Sequence, residues 1–226
     1  MTKAEAEEII SKFYPNYLTI DNYDKKHLET IEYANLVAEC KKAEDNSIWQ
    51  IVIKDFMLRL PDFIIVDWTH LFRKEPSFRL SILYPPLENY PERQRSLMLN
   101  VSILTNHYVC YFSETDLNSL THEYSIPLIG FRSQFEDKYL FLERKEKALM
   151  FLVDQGEVNL TEKFLYHNDY QDKMIFDTIQ EILNKNFPSY SVFPQDLTLD
   201  VWDNFTDGYL YGGQNTFNYL FSNHIF

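Results

Sequence analysis

Apolar residues recur with helical spacing in four parts of the chain. The clearest lies between Asn46 and Pro61. Ile48, Trp49, Val52, Ile53, Phe56, Met57 and Leu60 follow at i, i+1, i+4, i+5, i+8, i+9 and i+12, one continuous helix face. Asn46-Ser47 offers an N-cap, and Pro61 ends the segment because proline cannot continue a helix. Residues 3–14 read as a short acidic helix closed near Pro15. Residues 23–44 read as another, with Leu28, Ile31, Ala34, Val37 and Cys40 as its apolar stripe. Residues 171–186 read as the fourth, with Ile175, Ile179, Ile182 and Leu183 on one side and Phe187-Pro188 as the stop.

Elsewhere the period is two. Residues 63–67 and 78–84 are short apolar runs that read as strands, the second stopped by Pro85-Pro86. Residues 97–112 read as one long or bent strand. One face carries Leu97, Leu99, Val101, Ile103, Thr105, His107, Val109 and Tyr111, and the other face is more polar, as in a half-buried antiparallel strand. Ser113 with Asp116 offers a cap for a brief helical turn. Over 138–154, apolar runs at 139–142 and 149–153 flank the charged residues 143–147. Those charges interrupt every helical face, so a hairpin fits better than a helix. Together the elements predict an α+β fold with N-terminal helices and a mainly antiparallel sheet with helices packed on one face. No Gly/Ser/Pro linker divides the chain, so 1–226 is expected to be a single domain. Within it, 1–60 is helical, 61–154 forms the sheet, and 155–226 is a helix plus an acidic aromatic subregion.

Composition narrows the function. Hydrophobic residues make up 45% and charged ones 24%, normal for a globular chain. No apolar run approaches the roughly 20 residues that span a bilayer. The two cysteines, Cys40 and Cys110, form no CxxC, and the first residues are acidic and polar rather than a leader. A reducing, cytoplasmic location is therefore expected. Net charge is −13, which disfavours nucleic acid and anionic membranes and favours a basic protein partner. Five glycines provide no GxGxxG and no GxxxxGK[ST], so phosphate-cradling loops are excluded. No period of 20–50 residues repeats, which argues against a solenoid or propeller.

The negative charge is concentrated near the C-terminus: 154–226 carry a net −8 and the rest −5. Residues 186–226 contain eleven aromatics and no Lys or Arg. Asp196, Asp200, Asp203 and Asp207 are spaced 4, 3 and 4 apart, which on a helix aligns four carboxylates on one face. Such a strip suits a basic partner or a divalent cation. It equally suits a solvated face with Trp202 and Phe205 packed inward, and Thr198, Leu199 and Val201 suit a strand. A calcium loop fails, since Phe205 and Gln214 stand where ligands are needed. Tyr209 and Tyr211, beside Gly212-Gly213, are good contact residues and equally good core or hairpin-turn residues.

Catalytic signatures are few. No two histidines lie at i, i+4, and HExxH and GxSxG are absent. Pro61-Asp62 and Glu143-x-Lys145 contain the pieces of a PD-(D/E)xK metal site, but 81 residues separate them, too wide for a compact strand pair. No metal and no cofactor are expected. Asp67 and His70 could meet at a strand end, although a lone His-Asp pair is more often structural.

The sequence therefore leads to a non-enzymatic intracellular interaction or inhibitor protein. Its contacts would be Asp196, Asp200, Asp203, Asp207, Tyr209 and Tyr211. Immunity proteins that neutralise nuclease toxins belong to this physical class, and the likeness is one of class only. The alternative is a hydrolase with a dispersed site at Asp67 and His70, with Glu114 or Asp116 nearby. A third reading is a homo-oligomer whose aromatic tail buries against a second copy.

Overall fold

The computed structural model describes residues 1–15, 27–71, 74–85, 93–116, 170–194, 197, 201–202, 205 and 214–221. The hairpin expected over 138–154 lies outside them.

Helix α1 (Lys3–Phe13) starts with a capping box. Glu5 N donates to Thr2 Oγ1 at 3.3 Å and Thr2 N donates to Glu5 Oε2 at 2.6 Å. Its inner face is Ala6 and Ile10. A single 3-10 turn (His27–Glu29) precedes α2 (Ile31–Glu44), and Thr30 restarts the helix between them. The Thr30 hydroxyl accepts from Tyr33 N at 3.1 Å and donates to His27 O at 2.8 Å. This corrects the apolar stripe expected over 23–44. That stripe was counted through a point where the helix is not continuous. Leu28 and Ile31 are exposed, and the buried positions are Leu36 and Cys40. Thr30→Ala is expected to cost about 1–2 kcal/mol, because a buried helix start loses its cap. Urea unfolding measures it, and a loss below a few tenths would contradict the capping role.

Helix α3 (Ile48–Arg59) buries Trp49, Val52, Ile53 and Phe56, as its spacing predicts, whereas Met57, expected on the same face, is exposed. Its first turn is tied by Asn46, whose Oδ1 accepts from Ile48 N at 3.0 Å. Helix α4 (Tyr170–Asn186) buries Ile175, Ile179, Ile182 and Leu183, again as expected. It runs antiparallel to α3, with Lys185 on Asp55 at 2.7 Å and Arg59 on Glu181.

Five strands form the sheet: β1 (Ile64–Asp67), β2 (Ser77–Leu83), β3 (Arg93–Ser102), β4 (His107–Asp116) and β5 (Ser191–Val192), in that spatial order. The first three pairings are antiparallel and β4 pairs with β5 in parallel. The class is α+β, as the pattern predicts.

One strand differs from expectation. Residues 97–112 are not one strand but parts of β3 and β4, folded back at 103–106. Neither Gly nor Pro marks that turn. Ser102 makes it instead, its Oγ accepting from Leu104 N at 3.1 Å and Thr105 N at 3.2 Å. The register pairs Leu99 with Cys110 and Val101 with Tyr108. The alternation therefore changes phase across the turn. Leu97, Leu99 and Val101 share a face with Tyr108 and Cys110, not with Val109 and Tyr111. The helical turn expected at 113–116 is also strand, because β4 continues to Asp116.

Helices cover both faces of the sheet. Phe78, Leu80, Ile82, Leu97, Leu99 and Val101 lie under α3 and α4, with Trp49 stacked on Phe78 at 4.8 Å. The sequence suggested helices on one face only, and this is the face that α3 and α4 take. The opposite face carries Ser77, Arg79, Ser81, Asn100 and Ser102, all buried. There α5 (Thr216–Leu220) packs against part of it. Phe217 meets Tyr111 edge-on at 5.7 Å, and Ser77 Oγ donates to Phe221 O. A two-stranded ribbon, β6 (Val201–Trp202) with β7 (Gln214–Asn215), leads into α5. One buried cluster runs from Ala6 to Phe221.

Candidate functional site

Asp196, Asp200, Asp203, Asp207, Tyr209 and Tyr211 all lie outside the described residues. What is described between them bears on their setting. Val201–Trp202 is extended and paired with Gln214–Asn215, so a helix does not run unbroken through 196–207. Trp202 and Phe205 are buried, packed inward. Trp202 Nε1 donates to Thr216 Oγ1 at 2.8 Å, and Lys3 Nζ sits 5.2 Å above its ring. Phe217, Tyr219 and Phe221 are buried too. These five aromatics belong to the chain's own core and are not available to a second copy.

The described residues do form a cleft elsewhere. The end of α2, the start of α3 and the edge between β1 and β2 enclose about 460 Å³. Ala43, Trp49, Leu71 and Phe78 give it an apolar floor. Glu44, Asp45 and Asp67 supply its charge, and among the described residues no Lys, Arg or His lines it. Asp67 ends β1 where the strand passes the first turn of α3. Its Oδ1 accepts from Trp49 Nε1 at 3.1 Å and from Thr69 N at 3.0 Å. No described residue hydrogen-bonds to its Oδ2. Thr69 is itself held by β2, its Oγ1 accepting from Arg79 N at 3.0 Å.

His70 does not join Asp67. Its Nδ1 faces Glu75 Oε1 at 3.7 Å, outside the cleft lining. Glu75 is buried, and its Oε2 accepts from Arg79 Nη1 at 2.9 Å. The two residues expected as an acid–histidine pair thus engage separate partners. Glu114 and Asp116 lie on β4, with no described side-chain position. Lys74, at φ 65°, turns the chain through the left-handed region just before Glu75 enters the interior.

Burial alone would raise the Glu75 carboxyl, but His70 and Arg79 outweigh it and hold it below the usual range. His107 is lowered by burial, with Nδ1 making no hydrogen bond and its ring edge-on to Phe193 at 5.5 Å. Both shifts act in the same direction. A group that resists protonation only when folded stabilises the protein above its unfolded pKa and loses that contribution on acidification. Stability should therefore fall as pH drops below 6.5 through His107, and again below 4.5 through Glu75. Urea midpoints across that range test this, and a flat profile would contradict it.

Neither thiol is a ready nucleophile. Burial pushes Cys40 up to about 12 and raises Cys110 as well, so both stay protonated at neutral pH. Among the described residues no group of three His, Cys, Asp or Glu side chains is placed to hold a metal. Among them, too, no helix is long and apolar enough to cross a membrane. Comparison with protein-family models, curated proteins and solved structures finds no match.

Proposed function

We propose that the chain is a non-enzymatic intracellular binding protein, inhibitor-like in its physical class, that covers a basic protein partner with acidic surface. The observation that carries this reading is the cleft whose described lining holds three carboxylates and no base, on a chain of net charge −13. The aspartates at 196, 200, 203 and 207, with Tyr209 and Tyr211, would supply further contacts to the same partner. Opposite charge speeds encounter and sets the register of docking, which is what such a partner requires. The hydrolase reading at Asp67 and His70 has no comparable support, since the two side chains turn to different neighbours.

The test is quantitative. Reversing Asp200, Asp203 and Asp207 to Lys should weaken binding to the basic partner by about a hundredfold, two to three kcal/mol, while leaving the fold intact. Association of the wild type should slow as salt is raised toward physiological strength and beyond. Affinity unchanged by the reversal would remove the acidic strip from the account.

A further inference from the structure

The cleft beside Asp67 is selective in two ways at once. Its floor is apolar, formed by Ala43, Trp49, Leu71 and Phe78, and the charge of its described lining is of one sign. Asp67 is also not a freely rotating surface carboxylate. Two N–H donors from α3 and from the end of β1 fix Oδ1, and this fixes where Oδ2 points. A group suited to this cleft has a cationic head and an apolar stem several carbons long. At about 460 Å³ the space falls in the range of small-ligand sites and is ample for one amino-acid side chain.

We infer that the cleft receives an arginine side chain of the basic partner, its guanidinium on Asp67 Oδ2 and its methylene stem along the apolar floor. This rests on the binding reading above and specifies it. Arginine fits better than lysine for two reasons. A planar guanidinium presents five N–H donors in a rigid fork that matches a carboxylate, whereas an ammonium is a point charge. It is also less strongly hydrated than an ammonium, so it gives up less on entering a half-apolar space. Charge selects the occupant: the described lining holds three acids and no base, and the whole chain is acidic.

The probe is N-acetyl-arginine amide, titrated into the intact protein. The readouts are the Trp49 indole N–H and the Thr69 amide, because both donate to Asp67 Oδ1. The inference predicts saturable NMR shifts at both signals with millimolar affinity. The uncharged isostere N-acetyl-citrulline amide should bind about tenfold more weakly, the difference between charge-assisted and neutral hydrogen bonds. Asp67→Asn, which keeps an acceptor at Oδ1, should abolish the response. The exposed double variant Glu44→Gln/Asp45→Asn, remote from the core, should weaken it a few-fold and guards against misfolding of the first. No saturable shift at the two signals, or an equal response to citrulline, overturns the inference. If the arginine probe fails while the partner still binds wild type and is lost on reversal of Asp200, Asp203 and Asp207, this assignment falls and the binding reading stands.

Discussion

Trp202→Ala is expected to destabilise the protein by about 3–5 kcal/mol, the range for truncating a large core aromatic. Trp202 is 7% exposed and joins three parts of the molecule. Its indole N–H donates to Thr216 at the start of α5, its ring lies 6.2 Å from that of Phe205, and Lys3 of α1 approaches its face. Removing the ring opens a cavity and leaves the Thr216 hydroxyl without that donor. Domains of this size have only about 5–15 kcal/mol of stability, so the loss is a large fraction. Urea unfolding followed by fluorescence measures it. A cost below about 1 kcal/mol would mean that the ring is not core and would return it to the surface as a contact residue.

The second large effect lies at Glu75. Glu75 and Arg79 side chains are each 3% exposed and 2.9 Å apart. Glu75→Gln removes one charge and leaves the guanidinium facing a neutral amide, which should cost about 3–5 kcal/mol. Glu75→Gln combined with Arg79→Met should recover much of that loss, because removing both charges spares the burial of one alone. The double variant should also lose the Glu75 step in the pH profile below 4.5. A single-variant loss under about 1 kcal/mol would contradict a buried pair, since that is the value of an exposed one.

Helix faces were largely legible in the sequence. The seven-position pattern over 48–60 found α3, and Ile175, Ile179, Ile182 and Leu183 found α4, because periodicity along one element is local information. The turn between β3 and β4 was not legible. It lacks Gly and Pro and depends on one hydroxyl, Ser102, so alternation alone ran straight through it. The stripe expected through Leu28 and Ile31 failed for a related reason: Thr30 breaks the helix, and a count of residues cannot register a break. The cover on the second sheet face depends on α5, which reaches it from the far end of the chain. Such long-range contacts, Tyr111 with Phe217 and Ser77 with Phe221, are what a pattern suited to a wetted face cannot show.

The site was legible in part. Asp67 was found from its place at a strand end, but its paired residue was misassigned, because Trp49 and Thr69, not His70, hold it. The cleft itself arises where α2, α3 and β1 converge, and no spacing in the chain encodes that meeting. The inward packing of Trp202 and Phe205 was one of two readings of the aspartate-rich segment, and the ribbon with Gln214–Asn215 accounts for it.

The most direct measurement is affinity capture of the tagged protein from its own host, with the Asp200, Asp203 and Asp207 reversal run beside it. The account predicts a basic protein at stoichiometric yield on the wild type and its absence from the reversal. A partner retained equally by both, or one that is itself acidic, would contradict it.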